Sequence, residues 1–451
     1  MRLKQTLVSL ALLSSLNFAW SNEIVIDRYE VAFPEQKSVA YQGQFATAFP
    51  EGLPIGIGSG LYFIGEDNGE LKFVTVTDRG PNADSPKVDG TETKIFIVPD
   101  YTPLMMDVTV GKNGAVATNA RPLHDDHGNI SGLPLPKGLV GSTHEIPLTE
   151  TLDVLESKIN GLDVEGIVAD GNGGYWLSDE YGPFLIHIDA QGKILEQLGP
   201  TPNSVEKGIA TGLPNIIKWR QPNRGFEGIA RLPDGTIIAP VQSTLDIDGK
   251  TAKKANFTRL VSYHPETKAT KMIAYPIDVD AYESAKDAKI GDIVALDQDR
   301  ILIVEQGKDK NGEMRNLVYV VNMKNASDLT VLDEQQAPEF NTMAELNQRG
   351  IQLAEKSLLI DLREYGWRQE KAEGLALVND HTIALINDND FGVQTTLVNP
   401  AGKSKMKDYS LNGDKKLMLD GNVVDTTIAI EPLPTPDNIS DFWVIKFPEK
   451  I

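Results

Sequence analysis

The sequence of 451 residues contains no cysteine. Disulfides, thiolate metal sites, a cysteine nucleophile and a lipid-modified N-terminal cysteine are therefore all excluded, and core packing, with or without a metal, has to hold the fold. Apart from Leu7 to Leu16, no apolar run approaches the ~20 residues a membrane-spanning helix needs. The six histidines are scattered. A Gly-x-Ser-x-Gly elbow, a Walker loop and a His-Glu-x-x-His motif are all missing. Positive charge is scarce as well, with 43 Lys and Arg against 64 Asp and Glu and a net charge of -21. Such a surface repels nucleic acid and anionic membranes and is compatible with cation binding. Most of the carboxylates need no role beyond solubility.

At the N-terminus, Arg2 and Lys4 precede the apolar run, and Ala19-Trp20-Ser21 supplies small residues around a cleavage point. This predicts a signal peptide over residues 1–21 and a soluble periplasmic or secreted chain over residues 22–451. An uncleaved anchor is the alternative.

The chain repeats itself. Glu165-Gly-Ile-Val-Ala-Asp-Gly-Asn-Gly-Gly-Tyr-Trp-Leu-Ser-Asp179 aligns with Glu227-Gly-Ile-Ala-Arg-Leu-Pro-Asp-Gly-Thr-Ile-Ile-Ala-Pro-Val-Gln242 and with the unit from Glu373-Gly374 to Asn387-Asp388. Weaker relatives run from Gly291 to Glu305 and from Ser59 to Arg79. Each unit joins a short apolar strand, a turn such as Asp170-Gly171 or Asp234-Gly235, and a second apolar strand, the pattern of a β-hairpin. Directly opposed residues of a hairpin lie within about 5 Å, so Glu165 is expected near Asp179, and Glu373 near Asn387 and Asp388. Hairpins recurring at intervals of tens of residues predict an all-β fold, a β-propeller with equivalent strand ends around one mouth. The length fits six or seven blades, with six expected, in a single domain. A β-sandwich is the alternative, but it leaves the recurring acidic ends without a reason.

Two stretches depart from this pattern. Leu346, Ile351, Ala354, Leu358 and Leu362, with Thr342 and Glu345 spaced as a capping box, predict a helical insertion over about residues 341–367. A second short helix is expected between Tyr275 and Ala288. Leu123-His-Asp-Asp-His-Gly128 reads as a surface loop.

Carboxylates that converge repel one another unless a cation compensates. With oxygen donors only, the ion should be hard, Ca2+ ahead of Mg2+ or Mn2+. The expected ligands are Glu165, Asp179, Glu227, Glu373, Asn387, Asp388 and Asp390, and the expected catalytic carboxylates are Glu165, Asp179, Glu180 and Glu373. Arg79 and Lys371 stand beside acidic residues, where they suit a small anionic ester; Asp78 and His144 complete the expected substrate contacts. Hydrolysis by water activated at a divalent ion needs none of the missing motifs.

Thr77-Asp-Arg-Gly-Pro81, Asp163-Val-Glu-Gly-Ile167, Ser178-Asp-Glu-Tyr-Gly-Pro183, Gly225-Phe-Glu-Gly-Ile-Ala230, Lys371-Ala-Glu-Gly-Leu375 and Asn387-Asp-Asn-Asp-Phe-Gly392, in that order, resemble the phytase-like family, described as having esterase-like activity of phytase. The resemblance runs from about Tyr41 to Phe447. It implies a secreted β-propeller that hydrolyses phosphate or related esters, with Asp78, Arg79, Glu165, Asp179, Glu180, Glu227, Glu373, Asp388 and Asp390 at matching positions. The expected function is thus an exported, metal-dependent ester hydrolase, monomeric, acting on phosphate esters. A calcium-dependent lactonase or carboxylic esterase, and a non-catalytic ligand-binding propeller with a structural metal, are the alternatives.

Overall fold

The computed structural model describes residues 23–200, 209–332 and 334–451; the expected signal peptide lies outside them. Each of the five repeat units forms the two inner strands of a set of four antiparallel strands; the first and last sets join into one eight-stranded sheet through the parallel pairing of Val31 and Ala32 with Ala115 and Val116, and the second gains the short parallel strand Ala210–Thr211. In blade two the inner strands are Val164–Ala169 and Tyr175–Asp179, extended outward by Phe184–Ile188 and Ile194–Gly199. The reversal between the inner pair is made by Asp170, whose carboxylate accepts N–H bonds from Asn172 and Gly174 at 2.6 and 2.9 Å. A carboxylate that satisfies the turn backbone in this way lets the chain reverse in few residues. The inner strands are apolar on both faces because a neighbouring blade covers each side.

The same hairpin opens blade one (Leu61–Asp67, Glu70–Val76, Leu104–Gly111, Gly114–Pro122) and blade three (Ala230–Arg231, Ile237–Pro240, Phe257–Tyr263, Thr270–Pro276). Blade four holds Lys289–Ala295, Arg300–Lys308, Met314–Asn322 and Glu355–Asp361. Blade five is built from both ends of the chain: Gly374–Asn379, Thr382–Ile386 and Asp441–Lys446 are completed by the N-terminal strand Val25–Ala32, paired from Val25↔Lys446 to Glu30↔Asp441. The ring is therefore clasped by its first and last described strands.

The described residues make five blades rather than the six or seven suggested by length. The remaining length lies in insertions. Asn82–Asp84 and Thr93–Phe96 leave blade one, Val393–Val398 and Thr427–Pro432 leave blade five, and Ser410–Leu411 runs parallel to Lys87–Val88, joining the two excursions. A continuous apolar core, including Phe73, Phe391, Tyr409 and Phe442, binds these insertions to blades one and five.

The centre is closed by one carboxylate. Asp292 accepts the N–H groups of its own neighbour Ile293 and of Leu375, both at 2.7 Å, and also those of Ile229 and Leu61. It thereby links the inner strands of blades one, three, four and five. Gly228 lies against it: a Cβ there would sit 2.3 Å from Asp292 Oδ1, so only glycine fits. Beyond this pin a narrow cavity of about 180 Å3 runs down the axis, bordered by all five inner strands, with Tyr62, Val168, Arg231, Val294 and Leu377 among its walls.

The expected helix over 341–367 is shorter than predicted. It occupies only Met343–Gln348, with the Thr342/Glu345 capping box formed, and ends near Gly350, whose φ is +68°. Glu355–Asp361 is instead the outer strand of blade four, leaving Leu358 exposed. The stretch 275–288 contains a single 3-10 turn, Ala285–Asp287. The His-rich segment is a small surface hairpin, His124–Asp125 against Gly128–Asn129. Among the described residues, no helix is long and apolar enough to cross a membrane.

Candidate functional site

All five inner strands begin at the same end of the ring, and what stands at each start decides the chemistry of the mouth. Blades two, three and five begin with Glu165, Glu227 and Glu373; the equivalent positions in blades one and four are Ser59 and Gly291. The partner strands lead into the same mouth, where Asp78, Glu180, Gln242, Gln306 and Asp388 follow at equivalent positions.

The three glutamates converge. Carboxylate oxygens of Glu165, Glu227 and Glu373 lie within 4.8 Å of one another, as do those of Asp78, Asp163 and Glu165. These five groups are at most 7 % exposed. Asp78 is held by the tight Asp-Arg-Gly-Pro turn, where Gly80 (φ +102°) donates its N–H to Asp78 Oδ1 at 2.8 Å and packs against the Tyr101 ring. Glu165 sits at a bulge in the Val164–Ala169 strand, where the register slips between Val164 and Gly166. A bulge re-aims a side chain, here out of the blade and into the mouth.

Amides clamp the neighbouring carboxylates. Gln242 Nε2 donates to Glu227 at 2.8 Å and to Glu180 at 2.7 Å; Gln306 Nε2 donates to Glu373 at 3.0 Å. Asn223 Nδ2 donates to the other oxygen of Glu180 at 2.6 Å, while its Oδ1 accepts from Arg79 at 3.3 Å.

Arg79 and Lys371 form ion pairs at the edge of the cluster, and Lys289 favours the charged forms of Glu180, Glu227 and Glu373 from blade four. Arg79 pairs with Asp163 and Glu145, each at 3.5 Å, and lies between the Phe96 and Tyr181 rings. Lys371 reaches Asp388 at 2.6 Å, Asp390 at 2.9 Å and Glu373 at 3.4 Å.

Crowding in a dry site makes ionisation costly. Burial, reinforced by Asp163, Glu227, Glu180 and Glu373, pushes Glu165 well above the usual carboxyl range. Burial, then Glu180 and Glu373, does the same to Glu227, and burial, then Asp388 and Asp163, to Asp78. Burial raises Glu180 to about 8 and Glu373 to about 7, the latter held down by Lys371.

Not every predicted residue joins this group. Asp179 is fully buried and faces backbone: it accepts the N–H of Asp163 at 2.7 Å and of Gly182 at 3.2 Å. Asn387 is a strap for the blade five insertion, donating to Ile439 O and accepting from Asp441 N. Asp388 and Asp390 are brought together by Lys371 rather than by the three glutamates. His144 is exposed on its loop at φ +62°, and its neighbour Glu145 is the residue that reaches Arg79. Asp163, Gln242, Gln306 and Asn223 were missed as site residues. Gln242 closes its unit in the repeat alignment, whereas Gln306 lies one residue beyond the unit that ends on Glu305; by register both stand where blade two carries Glu180.

An uncharacterized secreted protein of Arthroderma benhamiae is 32% identical over 111 residues, which span 21% of this chain and 22% of that protein, so the match covers about a fifth of the relative's length. Among solved structures, a streptogramin B lyase aligns over 94% of this chain and 98% of its own at 9% identity and a TM-score of 0.29. A PQQ-bound aldose sugar dehydrogenase from Streptomyces coelicolor aligns over 82% and 98% at 11% identity and a TM-score of 0.28. Residues 54–391, most of the chain and all of the mouth described above, match the family described as "Phytase-like: Esterase-like activity of phytase", and the chain belongs to that family.

Proposed function

We propose that this protein is an exported, divalent-cation-dependent ester hydrolase that works at the acidic mouth and prefers phosphate esters. The observation that carries the reading is the convergence of five buried carboxylates beside Arg79 and Lys371. Membership of a family described by esterase-like activity supports hydrolysis, and the N-terminal segment and the secreted relative support export.

The donor set fits a hard cation. It is made of oxygen alone, and Asp163 Oδ2 is buried with no hydrogen-bond donor, its nearest cation being Arg79 at 3.5 Å. Asp78, Asp163, Glu165, Glu227 and Glu373 would hold the ion, with calcium expected first. When bound, such an ion polarises the ester and lowers the pKa of water.

The chain's own residues do the rest. Arg79, stiffened between two rings, presents a planar fork to phosphoryl oxygens, and Lys371 adds a point charge beside Glu373. Glu180 lies outside both carboxylate groups and is steadied by two amides; in this reading it carries a proton from the attacking water to the leaving alcohol. The water oxygen bonds to phosphorus as the ester P–O bond breaks.

Arg79→Lys tests the preference for phosphate, because it keeps the charge and removes the fork. Loss of one charge-assisted pair costs ~1.5–3 kcal/mol, which corresponds to roughly 10- to 100-fold in kcat/KM. The expected outcome is a loss of that size on an aryl phosphate and less than about 3-fold on an aryl acetate. Equal losses on both would remove Arg79 from phosphate recognition.

A further inference from the structure

We infer that Glu145 is a specificity-determining gate, whose carboxylate covers the Arg79 guanidinium and yields it to the anionic group of a substrate. The inference rests on the reading that Arg79 receives that anion, and adds what the anion has to displace.

The Arg79 side chain is only 8 % exposed, so a ligand reaches its fork only if a covering group moves. Most of the cover is fixed. Phe96 and Tyr181, the flanking rings, are buried in the fold. Asp163 is buried too, and its Oδ1 accepts the Arg79 backbone N–H at 3.1 Å. Asn223, which accepts from Arg79 Nη1, is tied by its own Nδ2 to Glu180 at 2.6 Å. Glu145 differs from all of these. Its side chain is 19 % exposed, and its Oε2 lies 3.5 Å from Arg79 Nη1 with no hydrogen-bond donor among the described residues. A contact held by charge alone, at the edge of solvent, is weak.

The chain around Glu145 is built to let it go. Ser142 O is anchored by Arg220 Nη2 at 3.0 Å, and Ile146 N donates to Glu92 O at 3.0 Å. Between these anchors, the N–H groups of His144 and Glu145 bond to the hydroxyls of Ser142 and Thr143, at 3.3 and 3.2 Å. Those bonds belong to the loop itself. His144 is exposed at φ +62°, a conformation that a residue other than glycine adopts at a cost. Rotation of Glu145 toward solvent therefore uncovers the Arg79 fork without breaking a hydrogen bond to the blades. Charge gives the rotation its direction. Arg79 faces two carboxylates, and an incoming anion is repelled by Glu145 until that side chain withdraws, while Asp163 stays in place.

The test is the affinity for inorganic phosphate of calcium-loaded mature protein, measured by isothermal titration calorimetry. Glu145→Gln keeps the shape and removes the competing charge, so it should bind phosphate about 5-fold more tightly or better. Glu145→Asp keeps the charge on a shorter arm and should fall between that variant and the wild type. In turnover, Glu145→Gln should lower KM for an aryl phosphate by the same factor, with kcat within about 2-fold. KM for a neutral aryl acetate should not move. A residue that only supports the loop would give no such split by substrate charge. Circular dichroism checks folding. Should Glu145→Gln not fold, a fluorophore on His144→Cys, the single thiol of an otherwise cysteine-free chain, decides: emission that shifts with phosphate supports the gate, and emission that does not overturns it.

Unchanged or weaker phosphate binding in folded Glu145→Gln overturns the gate and leaves the hydrolase reading intact. Phosphate binding to neither protein overturns the gate together with the role of Arg79 in anion recognition. Ester turnover, assayed in the same preparation, reports separately whether the protein hydrolyses at all.

Discussion

Asp179 and Glu180 are adjacent in the chain and do different work. Asp179 turns inward and accepts backbone N–H bonds from Asp163 and Gly182, so it shapes the loop that presents the mouth; Glu180 turns outward between Asn223 and Gln242. Asp179→Ala should therefore cost ~1–3 kcal/mol in urea unfolding, the penalty for stranding buried donors, while calcium stoichiometry is kept. Glu165→Gln should have the opposite signature. Neutralising a carboxylate whose ionisation is opposed by burial and by Asp163, Glu227, Glu180 and Glu373 stabilises the chelated protein by about 1 kcal/mol or more and removes most of the stabilisation that calcium gives. The Glu-Gly grammar was legible at this scale because it is local. Asp163 was not recognised, because its role is fixed by Arg79 from blade one, 84 residues away in the chain. Nor does an acidic residue at a strand end announce whether it faces a backbone amide or a cavity; a bulge decided that for Glu165.

At the scale of elements, the hairpins followed from the sequence with their register. Val164 opposes Asp179 and Gly374 opposes Ile386, placing the acidic ends as alternation and turn chemistry predict. The five repeat units are the five inner hairpins, so the blade number was present in the repeats and obscured by length. Insertions at residues 82–96 and 393–432 carry strand-like patterns but pair with each other. The helix was overextended because Leu358 and Leu362 continue an i, i+4 spacing, whereas pairing with Met314–Asn322 makes that stretch a strand. Ring closure makes a sharp prediction. Gly228→Ala drives a methyl group into Asp292, whose carboxylate holds the inner strands together. It should cost more than ~3 kcal/mol by chemical denaturation, beyond an ordinary core change. A cost below ~1 kcal/mol would show that Asp292 does not clasp the ring.

For the whole molecule, the proton and the metal ion compete for the same carboxylates. Glu180 and Glu373 rise from the usual 4.5 to about 8 and about 7 in the fold. A raised folded value means that the native protein holds protons the unfolded chain releases. Stability of the chelated protein is therefore greatest below about pH 4.5 as far as these groups are concerned, and falls as pH rises through about 7 to 8. A cation that replaces those protons cancels the loss. The calcium-induced rise in Tm should be small at pH 5 and grow steadily to pH 8. A rise independent of pH would place the ion away from the mouth.

The most direct test of the central claim is hydrolysis of an aryl phosphate monoester, an aryl phosphodiester, phytate, an aryl acetate and a lactone by the purified mature protein, with calcium and after chelation. The account predicts release of phosphate or alcohol from at least one phosphate ester, abolished by chelator, restored by calcium and lost in Glu180→Gln. Turnover confined to the acetate or lactone would contradict the phosphate preference. Silence across the panel, with calcium still raising Tm, would contradict the hydrolase and leave a metal-stabilised binding propeller.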